Sequence, residues 1–239
     1  MRPIVRGDWP QDEQGNIIFH HYSEARGELI HRLGEYCSYC EMHLDASLAV
    51  EHVRPKKPPG SATTLQERDL DWHNFLLACQ NCNACKSNTD VNLDDYLWPD
   101  RDNTYQAFRY LEGGLIQCRE DIQPDKASQL ISLVGLDKIP HSKNASDRRW
   151  QNRRETWDIA ERSKDNLRQC SGNPGCISAM QTQIVETAKA KGFWSVWLTQ
   201  FQDQPEMLKE LIKAFPGTCI ECFEPTNNYA PIPRPGGQC

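Results

Sequence analysis

Two pairs of cysteines with C-x-x-C spacing, Cys37/Cys40 and Cys79/Cys82, stand about forty residues apart in a chain of 239. Each two-residue turn brings two sulfurs to one side of an ion. Two such pairs complete the four-thiolate tetrahedron of structural Zn²⁺, with bonds of ~2.3 Å. The separation exceeds a short zinc-finger loop, so the metal would staple two distant pieces of chain. Between and beside the pairs lie Glu51, His52, Asn74, Asn83 and Lys86. A histidine with an ordinary pKa of ~6.5 exchanges a proton near neutral pH. Carboxylate and amide oxygens are the hard ligands that Mg²⁺ or Mn²⁺ takes. A base that activates water, beside a cation that neutralises developing charge, suits phosphodiester hydrolysis.

In chain order, C-x-x-C, then E-H-V-x-P, then W-x-N-x-L-L-x-C-x-x-C-N-x-x-K resembles the HNH, or ββα-metal, endonuclease family in its cysteine-stapled form. The resemblance covers residues 36–88. It implies a treble-clef-like ββα core in which zinc is structural and takes no part in the chemistry. It also implies that His52 is the general base, that Glu51 and Asn83 hold the catalytic cation, and that Asn74 braces the loop orienting His52. Lys86, one helical turn beyond Asn83, is expected to contact the substrate phosphate. The last motif position is Asn83 rather than histidine, giving an H-N-N pattern, and the acidic position is Glu51 where aspartate is also common. An amide oxygen is a legitimate Mg²⁺ ligand, so the site reads as a variant.

The similarity extends to layout. Residues 36–41 (Y-C-x-Y-C-E), 51–56 (E-H-V-x-P-K), 193–197 (F-W-S-V-W) and 214–218 (A-F-P-G-T) are similar to the HNH nuclease of retron-associated and Septu-type anti-phage systems. That similarity implies an ABC/SMC-like ATPase partner, with a retron complex as a further candidate. DNA and RNA both remain open as substrate.

The elements that must position these residues follow from pattern. The opening is polar and turn-rich, an arm that packs as an extended segment. Ala25, Leu29, Ile30 and Leu33 recur at helical spacing, predicting a helix over 22–35 with Ser23 as N-cap. It leads into the first knuckle. The run ending in Glu51-His52 is β-prone and stopped by Pro55. Residues 108–116, FRYLEGGLI, read as two strands joined through Gly113-Gly114. Beyond residue 127 the chain reads as helices, with an aromatic core set of Phe193, Trp194, Trp197 and Phe201, and an irregular Pro/Gly/Asn-rich tail. The expected architecture is α+β, with the arm, helix and nuclease unit in 1–100, and the hairpin and a mainly α-helical region in 101–239.

Net charge is −6, with 38% hydrophobic residues and mean hydropathy of −0.71. An acidic balance argues against a promiscuous nucleic-acid binder, because phosphate contacts supply most non-specific affinity. It leaves room for a local basic site or one completed by a partner. The segment 143–168 carries Arg148, Arg149, Arg153, Arg154, Arg162 and Lys164, a face that could track a nucleic-acid backbone, or a solvated helix with interleaved acids. No stretch is apolar enough to span a bilayer, and the opening has no apolar core, so a cytoplasmic, membrane-free protein is expected. In that compartment the 11 cysteines are expected as thiols or metal ligands. Cys170, Cys176, Cys219 and Cys222 are a weaker candidate for a second metal. The competing class is a zinc-bound scaffold that keeps the fold without catalysis. A thiol redox protein fits poorly, since no thioredoxin-like βαβ pattern surrounds any pair.

Overall fold

The computed structural model describes residues 1–139 and 146–239, so Lys143 lies outside the described residues. The N-terminal arm is extended and laced to distant backbone. Ile4 N donates to Pro99 O and Val5 N to Gly217 O, both at 2.7 Å. Arg2 donates to the carbonyls of Leu33 (2.7 Å) and Pro216 (2.6 Å), and Arg6 to those of His73 (2.8 Å) and Phe75 (2.6 Å). A guanidinium carries five donors, enough to satisfy several otherwise orphaned carbonyls from one side chain. A small hairpin, β1 (Gln11–Asp12) with β2 (Gly15–Asn16), follows.

The predicted helix divides in two. Tyr22–Ala25 form a 3₁₀ turn, and α1 covers Arg26–Leu33. The cap is His21 rather than Ser23: the His21 ring accepts from Ser23 N at 3.3 Å. Gly34 ends the helix at φ +76°, where a Cβ would sit 2.8 Å from the Tyr36 ring. Only glycine lets the chain turn this tightly into the first cysteine knuckle.

Strands β3 (Ala49–His52) and β4 (Phe75–Ala78) pair antiparallel, with Glu51 opposite Leu76 and His52 opposite Phe75. The short helix α2 (Gln66–Asp69) lies in the connection, and α3 (Gln80–Lys86) follows β4 at once. All four β4 residues are buried, as an uninterrupted apolar run requires. The first knuckle is tied to β4 through Ser38 N, which donates to Leu77 O at 2.8 Å.

Beyond α4 (Thr104–Ala107), the expected hairpin is present as β5 (Phe108–Leu111) and β6 (Leu115–Cys118), turning through Gly113 and Gly114 at φ +75°. A Cβ on Gly114 would lie 2.7 Å from Arg154 N, because helix α6 crosses directly over the turn. Helices α5 (Pro124–Val134), α6 (Arg149–Gln169), α7 (Pro174–Lys191), α8 (Trp194–Gln200) and α9 (Pro205–Ala214) make up the rest, before the two-residue strands β7 (Phe223–Glu224) and β8 (Ala230–Pro231). Three of these helices begin at proline, whose missing N–H is an orphan at that position anyway. One apolar core unites the arm, the ββα unit, the hairpin and α5; a second gathers α6–α9. The aromatics Phe193, Trp194, Trp197 and Phe201 are core, each at most 2% exposed. Among the described residues no helix is long and apolar enough to cross a membrane.

Two expectations need correction. Arg149 and Arg153 do not face solvent: both are 2% exposed, so α6 does not present them to a nucleic-acid backbone. Arg153 Nε instead donates to Gly114 O at 2.6 Å, and Lys164 pairs with Asp203 at 2.6 Å. Nor are all cysteines free. Cys170 and Cys176 form a disulfide where the turn after α6 brings their Cα atoms to 5.4 Å, which removes them from any second metal site.

The two cores are joined through Glu41, a buried residue at φ +66° directly after the first knuckle. Its carboxylate accepts from Ser195 N (2.9 Å) and Ser195 Oγ (2.5 Å) at the start of α8, and its carbonyl accepts from Phe193 N (2.8 Å). Hydrogen bonds to a buried charged acceptor are among the stronger ones. Glu41→Ala is expected to cost about 3 kcal/mol of unfolding free energy, read as a shifted denaturant midpoint with zinc content unchanged.

Candidate active site and zinc staple

The four motif cysteines converge. The sulfurs of Cys37, Cys40, Cys79 and Cys82 all lie within 4.8 Å of one another and are buried, with Cys40 and Cys79 sulfurs 3.7 Å apart. A tetrahedron with bonds of ~2.3 Å sets sulfur–sulfur separations near ~3.8 Å. The donor set therefore fits zinc in both chemistry and spacing. Cys79 also caps α3, its sulfur accepting from Cys82 N at 3.4 Å. Burial would raise the Cys37 thiol, but hydrogen bonds from Cys40, Cys79 and Cys82 outweigh it and hold Cys37 low. Burial pushes Cys40 and Cys82 well up. A divalent cation replaces those protons and relieves the conflict. Among the described residues no other cluster of potential ligands has this geometry.

Arg149 reaches this centre from α6. Its Nη1 donates to Cys82 Sγ at 3.0 Å and to Val134 O at 2.7 Å, and Asp147 pairs with its Nη2 at 2.7 Å. Four thiolates on one Zn²⁺ carry a net double negative charge, and a buried guanidinium against one of them offsets part of it.

A cleft of ≈ 470 Å³ opens beside the staple, lined by Tyr22, Glu51, His52, Lys56, Asn83 and Ser87 among others. A larger cleft of ≈ 700 Å³, between the β5 strand, α8 and the C-terminal turn, contains none of the motif residues. The His52 ring is held on several sides. Nε2 donates to the main-chain carbonyl of Asp69 at 3.0 Å, and the rings of Tyr22 and Phe75 meet it edge-on at 5.0 and 5.2 Å. With the proton on Nε2, Nδ1 is the nitrogen with a free lone pair. Burial lowers the His52 pKa below its ordinary value, and nearby Lys56 adds to the effect.

Asn74 grips both sides of this arrangement. Its amide oxygen accepts from Arg54 N at 2.8 Å; its NH₂ donates to Arg54 O at 2.8 Å and to Arg68 O at 2.9 Å. One residue thus ties the chain just after His52 to the chain just before Asp69.

Glu51 and Lys86 sit deeper than the sequence suggests. Lys86 is wholly buried, and its Nζ lies 2.7 Å from Glu51 Oε1 and donates to His52 O at 2.7 Å. The Tyr39 hydroxyl donates to Glu51 Oε2 at 2.6 Å. Burial, and then the Glu51 charge, push the Tyr39 hydroxyl well up, so it stays a donor. In this arrangement Lys86 has no open face for a phosphate. Each Glu51 oxygen keeps a second lone pair, and Asn83 lines the same cleft, so the hard-oxygen pair remains chemically suited to a divalent cation. Sequence reasoning missed the site roles of Asp69, Lys56 and Tyr39, and placed Arg149 on a solvated or nucleic-acid-facing helix rather than against the cysteines. Lys56 and Tyr39 carried a signal, within E-H-V-x-P-K and Y-C-x-Y-C-E; Asp69 carried none.

The site is thus a ββα unit whose four clustered cysteines fit zinc, with a histidine-bearing cleft beside them. Residues 37–89 match the family model for HNH endonuclease. No curated protein matches the chain. That match supports a nuclease, whose substrate class would be nucleic acid.

Zinc should co-purify at an equimolar ratio. Arg149→Met should release it to a chelator about 10–100-fold faster, the usual scale for an outer-shell partner, as followed with a colorimetric zinc indicator.

Proposed function

We propose that the chain is a metal-dependent endonuclease in which His52 activates the attacking water. The observation that carries this is the His52 ring, fixed through Nε2 on Asp69 O with its other nitrogen unprotonated, in a cleft shared with Glu51 and Asn83. In the step, Nδ1 takes a proton from water as the oxygen–phosphorus bond forms. The bond from phosphorus to the leaving ribose or deoxyribose oxygen breaks, and that oxygen takes a proton from solvent. Mg²⁺ or Mn²⁺ held by Glu51 and Asn83 would neutralise charge on the phosphate and leaving oxygen. Asn74 keeps His52 in register by gripping Arg54 and Arg68, and Tyr39 and Lys86 keep Glu51 oriented.

One observation favours the competing scaffold reading: both Glu51 oxygens already have partners, Lys86 and Tyr39. His52→Ala separates the two. On the nuclease reading it abolishes cutting of DNA or RNA with Mg²⁺ or Mn²⁺ while zinc and melting temperature hold. A wild-type chain that cuts neither polymer with either metal leaves the scaffold reading in place.

The four similar stretches support a wider role as the cytoplasmic effector of an anti-phage system acting with an ABC/SMC-like ATPase or a retron complex. Co-purification of such an ATPase with the tagged chain tests it, and its absence from the purified complex argues against it.

Two further outcomes follow from the His52 environment. Asn74→Ala should lower kcat/KM about 100-fold through misplacement of the base, with zinc retained. The neutral imidazole is the active form and its folded pKa is depressed. Activity should therefore persist as pH falls through ~6.5 and be lost only below it. A pH–rate profile whose acidic limb centres at or above the ordinary histidine value would contradict the assignment.

A further inference from the structure

Within the proposed nuclease reading, one role is left without a residue, since Lys86 is enclosed and cannot meet a substrate phosphate. We infer that Lys56 is the cation that binds the scissile phosphate, and that Asp69 is the positioning residue that fixes Lys56 and His52 relative to each other. Lys56 lines the same cleft as His52 and Asn83, and its side chain is about one-third exposed, at 34%. Its Nζ lies 3.0 Å from Asp69 Oδ1. The same carboxylate oxygen lies 3.5 Å from His52 Nε2, and the Asp69 carbonyl accepts the Nε2 hydrogen. A single residue at the end of α2 therefore holds the ammonium by its side chain and the imidazole by its backbone.

Two features leave the ammonium free to act. Its contact with Asp69 is an ion pair rather than an aligned hydrogen bond. The ammonium also sits 3.9 Å from the centroid of the Tyr22 ring, which restrains a cation without neutralising it. An ammonium has three donors. With Asp69 engaged only as an ion pair and the ring face on another side, a donor remains for a non-bridging phosphate oxygen. Lys86 has the opposite character, with its donors committed to Glu51 and His52 O. The two motif lysines thus divide the work: Lys86 orders the carboxylate from inside, and Lys56 meets the substrate from outside.

The test uses the full zinc-loaded chain with Mg²⁺ or Mn²⁺. Cutting is measured for Lys56→Gln, Lys56→Arg, Asp69→Asn and Lys189→Gln, the last an exposed α7 control. Binding of a fluorescent strand is measured by anisotropy in a His52→Ala background. Zinc content and melting temperature are checked for each variant. Lys56→Gln should cut ~10²–10³-fold more slowly, the scale for losing one donor to a developing charge. Its plot of log affinity against log salt should be shallower by ~0.7–0.9, one phosphate contact. Lys56→Arg should recover most of both losses. Asp69→Asn, which keeps the carbonyl, should lose about tenfold and add nothing to Lys56→Gln, since coupled residues act as a unit. If Lys56→Gln cuts and binds like Lys189→Gln while the wild type is active, this inference is overturned and the nuclease reading stands. If the wild type neither cuts nor binds, both fall together.

Discussion

Four buried sulfurs within 4.8 Å of one another are the constraint on which the rest of this molecule depends. Buried thiolates cannot share so small a volume without a cation, because unpaired charge in a poorly solvated interior costs several kcal/mol per ion. A metal that satisfies all four joins the knuckle after α1 to the β4–α3 corner. The proposed site hangs on that corner. Glu51 and His52 lie on the strand paired to β4, Asn74 immediately precedes β4, and Asn83 and Lys86 ride on α3. Cys79 caps the helix and belongs to the cluster at once, so the start of α3 and the metal centre cannot shift independently.

A second buried electrostatic unit, Glu51 with Lys86 and Tyr39, stands beside the first. Removing one member of a buried ion pair is far more damaging than never having had the pair, because the remaining charge is left uncompensated. Lys86 also holds the His52 carbonyl, so the ammonium links the carboxylate to the backbone of the proposed base. This arrangement gives Glu51 a fixed orientation. Its cost is competition: a divalent cation must share the carboxylate with an ammonium already 2.7 Å away.

The parts of this structure legible in the sequence were those whose signal is local. Spacing alone pairs Cys37 with Cys40 and Cys79 with Cys82. Two adjacent glycines mark the β5–β6 turn, because both residues need positive φ. The apolar run of β4 and the aromatic set around Trp194 declare burial through their residue types. What stayed hidden depends on contacts between distant segments. Arg149 and Arg153 show the charge and spacing of a solvated helix face; only the crossing of α6 over the hairpin turn buries them. Asp69 has no motif around it, and its importance comes from where α2 places a carbonyl. Cys170 and Cys176 have no C-x-x-C spacing, and a turn brings them into bonding range. Lys86 reads in the sequence as a substrate contact because its partner, Glu51, is 35 residues earlier in the chain.

The helical region is built onto the nuclease-like unit rather than beside it. Glu41 receives the start of α8, Arg149 of α6 donates to the Cys82 sulfur, and Arg2 laces the end of α1 to the segment after α9. The contacts between Glu41 and Ser195 join residues that stand 154 apart in the chain. A chain under selection only for a zinc-stapled ββα core has no need of such long-range polar ties, which demand satisfied partners at both ends. They tie the orientation of the helices to the cysteine cluster. Any force applied to α6 or α8 is therefore felt at Cys82 or at the residue following Cys40, and the cleft that holds His52 is mounted on the same staple.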